Sequence, residues 1–377
     1  MRLKLSRPLL ARTGFLFLSV AGFFFLGGLA GCDSKPNKTQ AVAAASAANG
    51  TLVKRTPARP AQVGLVWPVP NRAYFEGASI EAFVQPTESG DVRSGLYGST
   101  RSGGRQFHEG LDLFPLRRDA HGEAADDVVA ALEGVVRHVS DRAGASSFGR
   151  YVVLEHPGQS PAVYTLYSHL ANIDPALRPG LLLAAGARIG LMGRSAGGYT
   201  IPKSRAHLHF EIGVRMTDRF QTWYDGRKFG SKNEQGLYNG MNLMGLDPLD
   251  FFSRHKAGAL RSLDEVFREK PAAMTLRIAY AGEPDFVKRY PSLVKRAAGV
   301  RGGWEIDLSE TGVPLRWREV SLGEFGGWGK NEVRLLHVDQ AMLDANRGRE
   351  LVKMVKSRPT PGRDLRTVLE LLFAWRG

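Results

Sequence analysis

A short segment of alternating polar and apolar residues, 207–212, constrains the fold more than any other part of the chain. Its sequence is His-Leu-His-Phe-Glu-Ile. Because side chains alternate between the two faces of a β-strand, a strand here turns His207, His209 and Glu211 to one face and three apolar side chains to the other. The strand must therefore lie in a sheet that buries its apolar face. Its two histidines, about 7 Å apart at their Cα atoms, then face one small volume.

The same kind of alternation recurs from about residue 107 to residue 217, where β-branched and aromatic residues alternate with polar ones. The predicted strands are 110–114, 127–138, 151–155, 163–168, 187–192 and 206–214. Glycine or proline separates these segments, and no long segment of helical periodicity interrupts them. The sequence therefore predicts a mainly β domain built on an antiparallel sheet, which we bound at residues 63–217.

The rest of the chain after this domain differs in composition. Residues 218–257 are rich in glycine and asparagine and predict an irregular connection. Residues 258–377 mix helical and strand patterns, which predicts a C-terminal α+β domain. The predicted helices are 263–270, 285–298, 340–356 and 364–375, and the predicted strands are 275–280, 304–308, 315–320 and 332–338. This domain shows no grouping of reactive residues, so its sequence predicts no chemistry for it.

The N-terminus has the pattern of a targeting segment rather than of a folded element. Basic residues precede an apolar stretch, 13–30, that runs into Gly31-Cys32. This pattern resembles the lipobox of bacterial lipoproteins, which implies a signal peptide over residues 1–31 and lipidation of Cys32. Since Cys32 is the only cysteine, it has no internal disulfide partner. We expect an exported protein anchored to a bacterial membrane on its periplasmic face; an uncleaved membrane anchor is the alternative.

Two further features bear on location and partners. Residues 32–62 are rich in Ala, Ser, Pro and Thr without apolar periodicity, which predicts a flexible tether. Asp33 after the cysteine resembles an inner-membrane retention signal. The net charge of +14 suits an anionic surface such as lipid headgroups or cell-wall polymer. Because no zinc-finger, RNA-recognition or basic-helix signature is present, we expect no nucleic-acid partner.

A second histidine segment contains His108 and Asp112, separated by Glu-Gly-Leu. The residues around Gly110 favour a strand over a helix. On a straight strand the two side chains would start about 13 Å apart, too far to share one metal ion with bonds of about 2 Å. The chain must therefore bend between them, and we expect the conformational freedom of Gly110 to permit the bend. His108 is then expected on a loop and Asp112 on the following strand.

A catalytic zinc ion takes three protein ligands and leaves one position for water. Two histidines and one carboxylate meet that requirement. Further histidines beside them would serve proton transfer and the stabilisation of a developing oxyanion.

Three segments in this order and spacing resemble the motifs of the lysostaphin-type (LytM) zinc endopeptidases. The segments are His108-x-Gly-x-Asp112, Tyr167-x-His169-Leu170 and His207-x-His209-Phe-Glu. The resemblance covers residues 105–215, about a third of the chain. It implies a lysostaphin-like fold, with His108, Asp112 and His209 as the zinc ligands. It also implies catalytic roles for His169 and His207, with His207 as the general base, although which of the two takes the proton stays open.

The resemblance implies a zinc-dependent endopeptidase that hydrolyses peptide cross-links of bacterial peptidoglycan, with stem peptides as its substrates. Before the third motif this chain has extra residues, 197–206, in which Lys203 and Arg205 are candidates for attracting substrate carboxylates in the groove. The alternative is a non-hydrolytic activator or scaffold for another cell-wall hydrolase. The complete set of zinc ligands favours the enzyme. The C-terminal domain is a candidate docking region for cell-wall or division proteins.

Overall fold

The computed structural model describes residues 61–376. The predicted signal peptide, the lipidation site Cys32 and nearly all of the predicted tether lie outside these residues. The described residues belong to one compact unit. Among the described residues, no helix combines the length and the apolar character needed to cross a membrane.

The described residues are mainly β, with short helices between the strands. The strands are β1 Gly98–Arg101, β2 Gln106–His108, β3 Leu111–Leu113, β4 Asp127–Val129, β5 Gly134–Ser140, β6 Tyr151–Glu155, β7 Tyr164–Ser168, β8 Asn172–Ile173, β9 Leu182–Leu183, β10 Arg188–Leu191, β11 Leu208–Arg215, β12 Leu243–Leu246, β13 Met274–Ile278, β14 Val294–Lys295, β15 Arg301–Leu308, β16 Pro314–Ser321, β17 Val333–Val338, β18 Val352–Val355 and β19 Arg358–Pro361. The helices are α1 Ala73–Glu76, α2 Phe220–Arg227, α3 Pro248–Lys256, α4 Leu263–Glu269, α5 Asp285–Arg289, α6 Gln340–Ala345 and α7 Arg363–Phe373.

A seven-stranded sheet, which we call the central sheet, forms the middle of the region predicted as a β-domain. Its strand order is β12-β11-β7-β6-β5-β9, and β3 also pairs with β11. Strands β5, β6, β7 and β11 pair antiparallel along the chain. Two smaller sheets, β4-β10-β8 and β1-β2, flank it. The prediction of a mainly β fold with an antiparallel sheet is confirmed.

Strand β11 shows why the alternating histidine segment folds as it does. Its apolar side chains Leu208, Phe210 and Ile212 are fully buried in the core, as the alternation predicts. The opposite face is covered as well, so every residue of β11 is buried. A strand buried on both faces needs a partner for each polar group on its second face, which explains why that face carries a hydrogen-bonded cluster.

A second sheet, the C-terminal sheet, is built by the last third of the chain in the order β14-β16-β15-β13-β17. All its pairs are antiparallel except β14 with β16. Helix α7 is buried through its leucines at 365, 369 and 372, and its Phe373 ring lies 5.8 Å from the Trp317 ring of β16. One continuous hydrophobic core joins this region to the central sheet. The change near residue 258 is therefore a change of secondary structure and not an interruption of the packing.

The predicted irregular connection over residues 218–257 is wrong, because most of it is ordered into α2, β12 and α3. Strand β12 extends the central sheet by pairing with residues 212–215 of β11. Helix α3 begins at Pro248, and the Asp247 side chain accepts a hydrogen bond from the Leu249 amide. Asp followed by Pro is a helix start signal, and the glycine and asparagine content around it masked that signal.

Two of the predicted helices are also wrong in extent. The helix predicted over 285–298 ends at Arg289, because Pro291 follows and cannot continue it. The helix predicted over 340–356 ends at Ala345, and residues 352–361 form the hairpin β18–β19 instead. In both places part of the apolar spacing that suggested a helix belongs to a strand. Strand β14 pairs with β16, and β18 pairs with β19.

Candidate active site

The register of the central sheet brings the histidine motifs together. His209 on β11 is paired across the sheet with Asp112 on β3 and, on the other side, with Ser168 on β7. His169 follows Ser168 directly. Three segments that are far apart in the sequence thus end at one level of the sheet, which fixes their side chains around a common point.

The bend between His108 and Asp112 occurs as predicted, with two differences of detail. His108 is the last residue of β2, so it lies on a strand and not in the predicted loop. Gly110 is needed because β11 passes close by: a Cβ atom there would lie 2.4 Å from the carbonyl oxygen of Phe210. The glycine is thus required by close packing of two backbones.

Three ligand atoms converge at this bend. The distance from His108 Nε2 to Asp112 Oδ1 is 3.1 Å, and the distance from His209 Nδ1 to the same oxygen is 2.9 Å. The two imidazole nitrogens are 3.0 Å apart. Ligands on a tetrahedral ion with bonds of about 2.0 Å lie about 3.3 Å from one another. This group, which we call the metal triangle, therefore has nearly the size that one small ion requires.

Hydrogen bonds orient the rings of His108 and His209. In each ring, the nitrogen without this partner is the one that faces the metal triangle. His108 Nδ1 lies 2.8 Å from the Leu96 carbonyl oxygen, which can only accept, so Nδ1 carries the proton and Nε2 keeps its lone pair. His209 Nε2 lies 2.9 Å from Glu211 Oε1, which places its proton there and frees Nδ1. Partners of this kind fix the ring orientation of metal-binding histidines. The residues of the triangle could therefore hold a metal ion.

The carboxylates of the site are also held by specific partners. Arg101 donates to Asp112 Oδ2 at 2.7 Å, which leaves Oδ1 as the oxygen that faces the two histidines. Tyr164 donates to Glu211 Oε2 at 2.6 Å. Sequence reasoning assigned no role to any of these supporting residues. The alternation of β11 did turn Glu211 to the histidine face, but no local pattern indicates Arg101 or Tyr164.

The electrostatics of the triangle fit a cation site. Burial lowers the pKa of His209, but hydrogen bonds to Asp112 and Glu211 outweigh it and raise that pKa to about 9. Burial opposes ionisation of Asp112, yet its contacts with the neighbouring histidines outweigh burial and hold its pKa well below the usual range. Without a metal the site thus attracts a proton onto His209, and a metal ion binding there has to release it.

The two remaining motif histidines lie beside the triangle. His207 Nε2 is 3.7 Å from Asp112 Oδ1, and the rings of His169 and His207 are 4.8 Å apart. Their Nδ1 atoms lie 2.7 Å from the Arg205 carbonyl oxygen and 2.8 Å from the Ser195 carbonyl oxygen, respectively. Each Nδ1 therefore donates, and each neutral ring presents an unprotonated Nε2.

Burial keeps these two rings neutral. It lowers the pKa of His207 below its ordinary value. The pKa of His169 is lowered further, first by burial and then by the proximity of two other imidazoles, His207 and His209. His169 also has a positive φ of 61°, which is rare outside glycine. Strained backbone of this kind is concentrated at functional sites.

All five motif residues line one groove of about 740 Å³, which is open to solvent. Arg205 lines this groove as predicted. The prediction for Lys203 is wrong, because its amino group lies 3.0 Å from the His121 carbonyl oxygen and 3.4 Å from Glu123, away from the groove.

Residues 106–221 match the model of peptidase family M23. This match covers less than a third of the chain. The match includes all five motif residues. It also includes every strand of the central sheet except β12. The resemblance to LytM-type peptidases is thereby confirmed.

No curated protein sequence gives a significant match to the chain. Among solved structures, a zinc-containing peptidase from Vibrio cholerae is 26% identical with a TM-score of 0.27, and the match covers 40% of this chain and 37% of that chain. The catalytic domain of the antimicrobial peptidase lysostaphin from Staphylococcus simulans is 21% identical with a TM-score of 0.26, covering 42% of this chain and 87% of that chain. The chain thus spans little more than a third of the Vibrio peptidase.

Proposed function

We propose that this M23 domain is a zinc-dependent endopeptidase that hydrolyses peptide cross-links of bacterial peptidoglycan. The observation that carries the proposal is the arrangement of five side chains in one groove. Two imidazoles and one carboxylate converge with their lone pairs free, and two neutral histidines stand beside them. A purely structural metal site would be closed by a fourth protein ligand, whereas here the neighbouring groups face an open groove.

The choice of zinc follows from the donor set. Two histidine nitrogens and one carboxylate oxygen form a common ligand set of catalytic zinc sites. His108 Nε2, His209 Nδ1 and Asp112 Oδ1 would hold the ion. When bound, a zinc ion acidifies a water molecule towards a pKa of about 7 and polarises a carbonyl oxygen.

The chain's own residues supply proton transfer and orientation. His207 presents an unprotonated Nε2 near the triangle, so it can accept the proton of the attacking water and later give it to the leaving amine. His169 presents its Nε2 from the neighbouring strand end and can orient the water or, once protonated, stabilise a developing oxyanion. Glu211 and Arg101 hold the metal ligands in place.

The groove suits a peptide in extended form. It is open, and charged residues of both signs, among them Arg205 and Glu88, line it. Stem peptides carry free carboxylates and amines, so such a groove can pair with them. This charge pattern supports a short, polar peptide substrate better than a hydrophobic one.

The deciding experiment is digestion of purified muropeptides by the full chain in detergent. We expect cross-linked dimers to be converted to monomers when zinc is present, and expect a chelator to stop the reaction until zinc is restored. Dimers that stay intact with a folded, zinc-loaded protein would reject the endopeptidase. Uncrosslinked monomers serve as the matched control, because cleavage of these alone would indicate a different bond.

A second candidate function is a non-hydrolytic activator of another cell-wall hydrolase. The observation that favours it is the extent of the C-terminal region, which adds a five-stranded sheet outside the M23 match. Such a region could dock cell-wall or division proteins. Stimulation of a partner hydrolase by the His209→Ala variant, which keeps the surface but lacks a ligand, would support this role.

We further propose that the protein is an exported lipoprotein, anchored to a membrane through Cys32 and facing the periplasm. The lipobox-like sequence supports this, and the position of Asp33 is compatible with the inner membrane. Metabolic labelling with an alkyne fatty acid tests it. Label should appear on the natural chain and be lost in Cys32→Ser, and label that persists on the variant would refute the assignment.

A further inference from the structure

The strand that carries His108 is packed against the C-terminal region. Residues 346–349 form a turn after α6, closed by a hydrogen bond from the Arg349 amide to the Asn346 carbonyl oxygen. We call it the buttress turn. The Gly348 amide donates to Ser99 Oγ on β1 at 3.0 Å. The hairpin β1–β2, which ends at His108, thus has a direct partner outside the M23 match.

The approach of the buttress turn to β2 is as close as two backbones allow. A Cβ atom on Gly348 would lie 2.7 Å from the Phe107 amide nitrogen and 2.8 Å from Ser99 Oγ. Both distances are shorter than contacts that a real Cβ atom tolerates. Glycine at position 348 therefore lets the turn lie directly on the residue that precedes His108.

Arg349 adds side-chain contacts on either side of His108. Its guanidinium carbon lies 4.5 Å from the centre of the Phe107 ring. One of its nitrogens lies 3.5 Å from Glu109 Oε1. Since Phe107 and Glu109 flank His108, this one side chain contacts both neighbours of a metal-triangle residue.

A second contact reaches the partner of the His108 ring. The Tyr97 hydroxyl donates to the Gly245 carbonyl oxygen at 2.8 Å and lies 2.9 Å from the Thr311 hydroxyl of the C-terminal region. Tyr97 follows Leu96, whose carbonyl oxygen fixes the His108 tautomer. The C-terminal region thus contacts both the strand that carries His108 and the segment that orients its ring.

The buttress turn is itself firmly held. The Glu350 amide donates to Asp364 Oδ2 at 2.6 Å at the start of α7. The Gly362 amide donates to the Leu351 carbonyl oxygen at 2.9 Å. The residues that follow the turn are thus tied to the start of α7, which is anchored in the core by its buried leucines.

We infer that the buttress turn of the C-terminal region is a positioning element of the metal centre, holding β2 so that His108 keeps its Nε2 atom in the metal triangle. The inference rests on the proposed metal-dependent function. Residues that position metal ligands from outside typically change metal affinity by about 10- to 100-fold when they are altered. The buttress turn should act on affinity in the same way, without touching metal or substrate.

The test measures zinc dissociation constants of full-length variants in detergent by competition with a chelator of known affinity. Gly348→Ala inserts a methyl group between the turn and β2 and should raise the zinc Kd by roughly tenfold. Arg349→Ala should raise it by a smaller factor, and Arg349→Lys, which keeps a cation near Phe107 and Glu109, should restore most of the affinity. Hydrogen exchange of the apo proteins should show faster exchange at the amides of residues 106–108.

Matched controls separate this effect from a general loss of stability. Gly323→Ala adds a methyl group in the same region where nothing lies within 4 Å. Arg347→Ala removes a side chain whose Nε donates only to the nearby Asp344 carbonyl oxygen. Both controls should bind zinc like the natural chain.

The zinc affinities of the variants decide whether the buttress turn positions His108. Gly348→Ala and Arg349→Ala proteins that are folded and bind zinc with the natural affinity would overturn the inference. If Gly348→Ala does not fold, Arg349→Ala alone decides in the same way. A natural chain that binds zinc but cuts no cross-link would reject the proposed function while the positioning role stands. A natural chain that binds no zinc would overturn both.

Discussion

The central sheet and the C-terminal sheet both carry a row of polar residues on one face, but they use it differently. In the C-terminal sheet charged side chains pair with one another: Glu305 accepts from Arg277 at 2.8 Å and from Arg318 at 2.7 Å. In the central sheet, the polar face of β11 gathers imidazoles whose lone pairs point to one place.

The two sheets differ in how the hydrogen-bonding groups of their polar side chains are satisfied. Across β15 and β16 the arginines pair with carboxylates of the neighbouring strand, as Arg316 does with Asp307 and Arg301 with Glu319. Around β11, the Leu96 carbonyl oxygen and Glu211 each accept a hydrogen bond from one ring nitrogen, of His108 and His209 respectively, so that the opposite nitrogen of each ring faces the metal triangle. The histidines around β11 are thus oriented by partners outside the metal triangle, whereas the charged groups of the C-terminal sheet pair with one another.

The largest expected effect is that of removing a metal ligand. His209→Ala deletes one corner of the triangle and leaves Glu211 without its partner. We expect the zinc Kd to rise by more than about a hundredfold, beyond the range found for supporting residues, and cross-link cleavage to be lost with it. Equilibrium dialysis followed by metal analysis measures the first quantity. Natural zinc content in this variant would show that the triangle is not the metal site.

His207→Ala separates proton transfer from metal binding. The ring is not part of the triangle, so zinc affinity should stay within a few-fold of the natural value. Turnover should fall by about 10²- to 10⁴-fold, the usual contribution of a general base. Comparing kcat with His169→Ala at equal zinc loading tells which histidine takes the proton. A near-normal kcat in His207→Ala would move the role of base to His169.

Glu211→Gln tests the orienting partner directly. The amide keeps the shape of the side chain but removes the charge that holds the His209 Nε2 proton. We expect about a tenfold weaker zinc affinity and a smaller effect in Tyr164→Phe, which loses only the contact to the other Glu211 oxygen. Zinc competition titrations give both values. Equal affinities for Glu211→Gln and the natural chain would mean that the backbone alone orients His209.

The smallest effect is expected from the matching change in the C-terminal sheet. Glu305→Gln removes a charge shared by two arginines at a partly exposed position. It should lower the free energy of unfolding by about 1 kcal/mol or less and leave zinc affinity and cleavage unchanged. Urea unfolding and the zinc titration check the two statements. A marked loss of zinc binding would mean that the two polar faces are coupled.

The sequence predicted which side chains come together in the site better than it predicted the residues that support them. Alternation placed His207, His209 and Glu211 on one face, and the spacing of His108 and Asp112 required a bend. These inferences depend on neighbours in the chain. The pairing of His209 with Asp112 joins residues 97 positions apart, and only the family resemblance supplied it.

The missed elements share one physical cause. Arg101, Tyr164 and the Leu96 carbonyl oxygen act through contacts that exist only after the sheets assemble, and nothing in their local sequence marks them. The same holds for β12, whose short apolar segment becomes a strand because β11 offers it an edge. The helix predicted over 340–356 is wrong for the same reason, since the hairpin β18–β19 that forms there packs on α7.

X-ray absorption at the zinc K-edge tests the central claim most directly, because it reports the identity and number of the atoms bound to the ion. The account predicts one zinc per chain with two imidazole nitrogens and one carboxylate oxygen at about 2.0–2.2 Å, together with a bound water. In His207→Ala the spectrum should be unchanged. A site with no zinc, or one in which a third imidazole replaces the water and disappears in His207→Ala, would contradict the account.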